Sequence, residues 1–116
     1  MIDEIWRDVE GFEGLYIVSN HGRIKSLYRC PEGKIMKLIT HTRGYQAIWF
    51  RKPGVHKKFF VHRLVAIHFL ERGEDHDQVN HKDKNRLHNH VMNLEWCTWE
   101  ENYKHRDGVV NSDEPF

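Results

Sequence analysis

The chain has 116 residues, a formal net charge of +1 and two cysteines. That length holds one ordinary domain, or two small lobes sharing a core, and no apolar run approaches the roughly 20 residues that a membrane-spanning helix needs. Acids near the start, where a signal peptide carries positive charge, and Cys30 and Cys97 standing far apart outside any Cys-x-x-Cys pair, exclude a disulfide framework or a cysteine-rich zinc finger and lead us to expect a soluble, cytoplasmic protein with no membrane partner.

The first half reads as short strands. Leu15 to Ser19 is apolar and β-branched, and Asn20-His21-Gly22 is a turn signal. Arg23 to Tyr28 alternates basic and apolar residues, and Pro31-Glu32-Gly33 turns the chain again. Lys34 to Ile39 is a further predicted strand, with Ile35 and Leu38 as core candidates. Tyr45 to Phe50, Pro53-Gly54 and Lys57 to Phe60 read as strand, turn and strand. Period-two alternation can bury one face and present Arg and Lys on the other, which predicts a small antiparallel sheet with a basic face.

The period then changes. Val61, Leu64, Val65, His68 and Phe69 follow i, i+3, i+4 spacing and predict a helix over Val61 to Leu70. His68 on that stripe reads as a satisfied core histidine. In the last third, Gln78 to His81 and Asn93 to Cys97 read as strands around a turn at Lys82-Asp83-Lys84-Asn85. Thr98 with Glu101 fits a capping box, so a helix should run from Trp99 to about Arg106. The residues after Gly108 show no periodicity and read as a flexible tail. The expected fold is α+β: a small antiparallel β-sheet N-terminal part, then a helix and a ββα hairpin unit.

Charge is unevenly spread. From His21 to Leu64 there are eleven Lys or Arg and one acid, Glu32, while Met1 to Glu13 and Glu71 to Asp83 hold five acids each. A basic middle suits a surface that grips a polyanion; the competing reading is a solvated charged face. The candidate phosphate contacts are Arg23, Lys25, Arg29, Lys34, Lys37, Arg43, Arg51, Lys52, Lys57 and Lys58. Arg23, Lys25 and Tyr28 are candidates for reading base edges from a strand ribbon. His62 and Arg63, at the start of the expected helix, either contact a phosphate or brace the site.

Three strings carry the chemistry: Val79-Asn80-His81-Lys82-Asp83, then Asn93-Leu94-Glu95-Trp96-Cys97-Thr98, then Asn102. His81 to Asn93 is 12 residues and Asn93 to Asn102 is 9. With the lead-in Val61-His62-Arg63-Leu64-Val65-Ala66, they resemble the HNH endonucleases of phages and intron-borne homing elements. The start resembles the nuclease-associated modular domain that often precedes that motif. It does so through Trp6-Arg7-Asp8-Val9, Gly11-Phe12-Glu13-Gly14-Leu15-Tyr16 and Val18-Ser19-Asn20-His21-Gly22-Arg23-Ile24. Together the resemblances cover about residues 4 to 106.

The resemblance implies a metal-dependent DNA endonuclease acting on double-stranded DNA. It maps His81 onto the general base, Asn93 onto the residue that braces the loop, and Asn80 and Asn102 onto metal-binding positions. The chemistry is coherent. A near-neutral imidazole can take a proton from water, and a divalent cation can relieve charge on the phosphoryl group and the leaving oxygen. Relatives often carry Asp where this chain has Asn80, and many have His at the position of Asn102. Two neutral oxygens favour Mg²⁺ or Mn²⁺ over zinc and imply weak metal affinity; Asp83 is a candidate for the missing carboxylate. The resemblance divides the chain into a β-rich DNA-contacting region (1–60), the ββα-metal motif (61–107) and a tail (108–116). Homing relatives often add a DNA-reading module after the nuclease. Without one, either a homodimer or loose specificity is expected. Two rival readings remain: a non-catalytic DNA-binding protein that keeps the fold, and a zinc-stabilised module built on His88, His90, Cys97 and His105.

Overall fold

The computed structural model describes residues 3–41 and 43–101. Its elements in chain order are β1 (Trp6–Asp8), β2 (Tyr16–Ser19), β3 (Ile24–Ser26), β4 (Lys34–Ile35), β5 (Ile39–Thr40), β6 (Gln46–Lys52), β7 (Val55–Phe60), α1 (Val61–Phe69), β8 (Gln78–His81), a 3-10 turn (Val91–Asn93) and β9 (Leu94–Cys97). All strand pairs are antiparallel. The expected single N-terminal sheet is two: one ordered β1-β2-β3-β4 and one ordered β5-β6-β7, with β8 and β9 forming a separate hairpin.

The expected strand over Lys34 to Ile39 is divided between those sheets. Lys34 and Ile35 pair with β3, whereas Ile39 and Thr40 pair with β6. Met36 and Leu38 pack against the core, while Ile35 and Ile39 are 46% and 49% exposed. Ile35 is therefore not a core residue. With a side-chain period of two, a one-residue choice of face moves the whole apolar set, and here Met36 and Leu38 point inward. The sequence reading also missed β1, whose Trp-Arg-Asp has no apolar alternation and is held by pairing with β2.

Buried residues run from the first sheet to the hairpin. Phe50 is fully buried, stacked on Tyr16 at 4.3 Å and 5.4 Å from both Phe12 and Phe59. Helix α1 follows β7 without a loop and buries Val61, Leu64 and Val65. It touches β2, β6 and β7 on one side and β8 and β9 on the other, so both halves share one core. Trp96 Nε1 donates to the Ala66 carbonyl at 3.3 Å, fastening β9 to the helix. His68 is satisfied as expected: its Nδ1 meets the Leu64 carbonyl at 2.7 Å, and Nε2 accepts from the Glu10 N–H at 2.9 Å. Among the described residues, no helix is long and apolar enough to cross a membrane.

In the hairpin His81 faces Leu94, and Asn80 faces Glu95. The capping box forms: Glu101 N–H donates to Thr98 Oγ1 at 3.2 Å, and Thr98 N–H to Glu101 Oε1 at 2.9 Å. Helical backbone begins at Trp99. Asn102, the rest of the expected helix and the tail lie outside the described residues.

Truncating Phe50 removes the ring that joins three other aromatics. Phe50→Ala should cost about 3–5 kcal/mol, whereas Ile35→Ala should cost less than about 1 kcal/mol. Urea denaturation followed by circular dichroism measures both.

Candidate active site

His81 ends β8 and is 5% exposed. Its Nε2 lies 2.8 Å from Asn89 Oδ1. A carbonyl oxygen only accepts, so Nε2 carries the proton and Nδ1 is the basic nitrogen of the neutral ring. Burial, the largest influence, pulls the imidazole below its ordinary 6.5, opposed by the Asn89 hydrogen bond and by Asp83. At neutral pH the ring is thus neutral and able to accept a proton. The unfolded chain protonates this histidine first as pH falls through 6.5, so folding stability declines below that point.

His62 forms the floor under His81. It is 1% exposed, stacked on Tyr45 at 4.9 Å and centred 5.1 Å from the His81 ring. Burial, then the His81 charge, holds His62 well below the ordinary histidine range. A residue so enclosed does not reach a phosphate, which corrects the DNA-contact expectation for His62; it matches the bracing alternative.

The loop between β8 and β9 is tied by Asn93. Asn93 Oδ1 accepts from the Asp83 N–H at 3.1 Å, and Nδ2 donates to Asp83 Oδ1 at 2.9 Å and to the His88 carbonyl at 2.8 Å. Asp83 also meets His88 Nδ1 at 2.8 Å. The His88 hydrogen bond, then the Asn85 backbone N–H, draw the Asp83 carboxyl down to about 2. Asp83 is therefore turned into its own loop, and the expectation that it supplies the missing carboxylate is not met.

Asn80 is 6% exposed and its Nδ2 donates to Glu95 Oε1 at 2.9 Å. Among the described residues no group of three or more His, Cys, Asp or Glu stands close enough to hold a metal. His88 is engaged with Asp83, so the zinc cluster drawn through it finds no support there. The donors at Asn80 and Glu95 are amide and carboxylate oxygens, which fit a hard cation such as Mg²⁺ or Mn²⁺ rather than zinc.

Sequence reasoning missed Asn89, which is 6% exposed. A polar residue in a loop full of Asn, His and Lys gives no periodic signal, and only the fold shows that it is buried. The approach of Asn89 depends on Gly22, in the first turn the sequence marked. Gly22 has φ +86°, and a Cβ there would lie 2.9 Å from both the Cβ and the carbonyl oxygen of Asn89. Nearby, the Val91 N–H donates to the Asn20 carbonyl at 2.8 Å, and the His21 and His90 rings lie 4.4 Å apart.

The candidate DNA contacts divide into engaged and open cations. Arg23 pairs with Glu4 through two side-chain hydrogen bonds, and Lys25 lies 4.4 Å over the Trp6 ring. Tyr28 donates its hydroxyl to the Arg51 carbonyl at 2.7 Å. Arg43 is half-buried, and Arg63, also half-buried, donates to the Asp77 carbonyl at 3.0 Å. Arg29, Lys34, Lys37 and Arg51 are exposed; Lys57 and Lys58 are exposed with Nζ 5.4 and 5.6 Å over the Phe59 and Phe60 rings, and Lys52 is half-buried, its Nζ 4.9 Å over the Phe12 ring. On the outer face of the β6–β7 hairpin, Trp49 and Arg51 stand opposite Lys58 and His56, with the Trp49 and His56 rings 4.7 Å apart.

Residues 4–51 match the NUMOD4 motif. The chain is 45% identical over 93 residues to the DNA endonuclease I-HmuI of Bacillus phage SP01, an alignment covering 80% of this chain and 52% of I-HmuI. It is 33% identical over 84 residues to the H-N-H endonuclease F-TflII of Escherichia phage T5, covering 68% of this chain and 40% of that protein. A solved structure describing DNA binding and cleavage by the HNH homing endonuclease I-HmuI superposes with a TM-score of 0.76 at 39% identity, covering 93% of this chain and 62% of that one. The chain thus spans only 52% and 40% of the length of these two curated relatives. It belongs to the HNH homing endonuclease family and carries the NUMOD4 motif at its N-terminal side.

Two outcomes follow from the loop. In a carboxyl-detected NMR titration, Asp83 should titrate near 2, and His88→Ala should move its midpoint up toward 3.8. The stabilisation from its pairing is present above 3.8 and is lost as pH falls through about 2. Gly22→Ala should push Asn89 away from His81, seen as a displaced His81 Cε1–H resonance in a folded protein.

Proposed function

We propose that this chain is a metal-dependent DNA endonuclease that hydrolyses phosphodiester bonds, with His81 as the general base. The observation that carries the reading is the His81–Asn89 hydrogen bond at 2.8 Å. It holds the ring and assigns the proton to Nε2, which makes Nδ1 the nitrogen that would take a proton from water. Burial keeps the ring neutral at the working pH, as a base requires. Asn93 holds the loop that surrounds this histidine, and His62 and Tyr45 fix its plane.

Asn80, with Asn102 beyond the described residues, would hold Mg²⁺ or Mn²⁺. Bound there, the ion would relieve charge on the phosphoryl group and the leaving oxygen. The β-rich region up to residue 60 positions double-stranded DNA, and residues 61–107 form the nuclease motif. Exposed Arg29, Lys37, Arg51, Lys57 and Lys58 are the phosphate contacts we favour; Arg23 would first have to leave Glu4, and Lys25 is half-buried beside Trp6. Such contacts set position rather than sequence.

Purified protein with supercoiled plasmid tests this directly. Conversion to open-circle or linear DNA should require Mg²⁺ or Mn²⁺, and His81→Ala should slow it by roughly 10²–10⁴-fold. Metal-independent conversion, or unchanged conversion by His81→Ala, contradicts the mechanism. DNA binding without cleavage would favour a non-catalytic DNA-binding protein.

A further inference from the structure

A cation site built from Asn80 and Asn102 alone offers two neutral oxygens and no charge, whereas hard divalent ions are held largely by carboxylates. Asp83 is committed to its own loop. Glu95 stands elsewhere. It lies directly across the β8–β9 ladder from Asn80, on the face opposite His81 and Leu94. It accepts a hydrogen bond from Asn80 Nδ2 at 2.9 Å.

That bond has two effects. A carboxylate only accepts, so it fixes the amide with Nδ2 toward Glu95 and Oδ1 turned away. Donation from the amide nitrogen to an anion also shifts electron density onto Oδ1, because linked hydrogen-bonding groups polarise one another. Glu95 is exposed, and among the described residues no Lys, Arg or His forms an ion pair with it. Its charge is therefore not neutralised within the described structure.

Charges of both signs stand nearby, and Glu95 lines a groove with Arg72, His76 and Lys82. Cys97, facing Gln78 on this side of the hairpin, has its thiol pushed up to about 12 by burial, then by Glu101, Glu95 and Asp77. Three carboxylates are thus near enough to oppose a negative charge on Cys97.

We propose that Glu95 is the positioning residue of the divalent-cation site: through its hydrogen bond it aims and polarises the Asn80 carbonyl and supplies the negative charge that Asn80 lacks. The inference rests on the nuclease reading above. It resembles in principle the carboxylates that orient metal-binding histidines from behind, whose removal commonly costs 10- to 100-fold in metal affinity.

The test is Mn²⁺ binding by the full chain, read as free Mn²⁺ by electron paramagnetic resonance, beside the plasmid assay. Glu95→Gln keeps an acceptor for Asn80 and removes only the charge, at an exposed position, so the fold should survive. It should weaken Mn²⁺ binding by roughly tenfold. Asn80→Asp alone sets two carboxylates side by side, whereas Asn80→Asp with Glu95→Gln moves the single charge across the ladder. The double variant should therefore bind Mn²⁺ at least as tightly as the unaltered chain. Removing Glu95 should therefore cost nothing in the Asn80→Asp background, whereas a merely structural role would lose the same roughly tenfold in both backgrounds, since independent losses add. Equal Mn²⁺ affinity in Glu95→Gln and the unaltered chain, with binding lost in Asn80→Ala, overturns the proposal and leaves the nuclease reading intact. An unaltered chain that neither binds Mn²⁺ at millimolar concentration nor nicks DNA overturns both.

Discussion

The hydrogen bond that His81 Nε2 donates to Asn89 Oδ1 is held from both sides of the molecule. On the side of the hairpin, Asn93 ties Asp83 and the His88 carbonyl together, which closes the loop that carries Asn89. On the side of the first sheet, the turn after β2 supplies a residue without a side chain, Gly22, exactly where Asn89 must pass. The Asn20 carbonyl then takes the Val91 N–H just beyond it. The N-terminal module therefore reaches the His81 site. It is one wall of the candidate active site.

Burial does two jobs around this bond. It disfavours the charged form of both imidazoles, so His62 and His81 are both neutral near pH 7. It also makes their geometry stiff, since His62 is wedged between Tyr45 and His81. A ring held this way has little freedom left to lose when another molecule binds beside it. The cost is borne by an imidazole nitrogen, His62 Nε2, that is buried with no hydrogen-bond partner among the described residues. One orphaned polar atom is a destabilisation of about 1–3 kcal/mol, which is the scale of strain that functional sites commonly carry.

The hairpin and the start of the element after it were legible from local pattern: a strand ends in His81 and a capping box forms at Thr98 as predicted, while the second strand begins at Leu94, one residue late, because Asn93 closes a 3-10 turn. Helix α1 was legible from its 3.6-residue period. The sheets were harder. Short strands of two or three residues, such as β4 and β5, carry too little alternation to reveal that the chain changes sheet between them. Charge also misled in part, since Arg23 is matched by Glu4, a residue far away in sequence that the strand pairing brings near. The polar partners Asn89 and Glu95 could not be singled out at all. Their roles depend on which buried group they face, and a single sequence carries no trace of that.

The account stands on His81 being neutral and protonated at Nε2 while the protein is folded. Long-range ¹H–¹⁵N correlation spectra of the imidazoles, recorded across pH, measure this directly. We expect the His81 Nε2–H tautomer at pH 7 and a midpoint below 6.5. Asn89→Ala should abolish the tautomer preference in a protein that remains folded. A proton on Nδ1, or an imidazolium at pH 7, would contradict the assignment of His81 as the base.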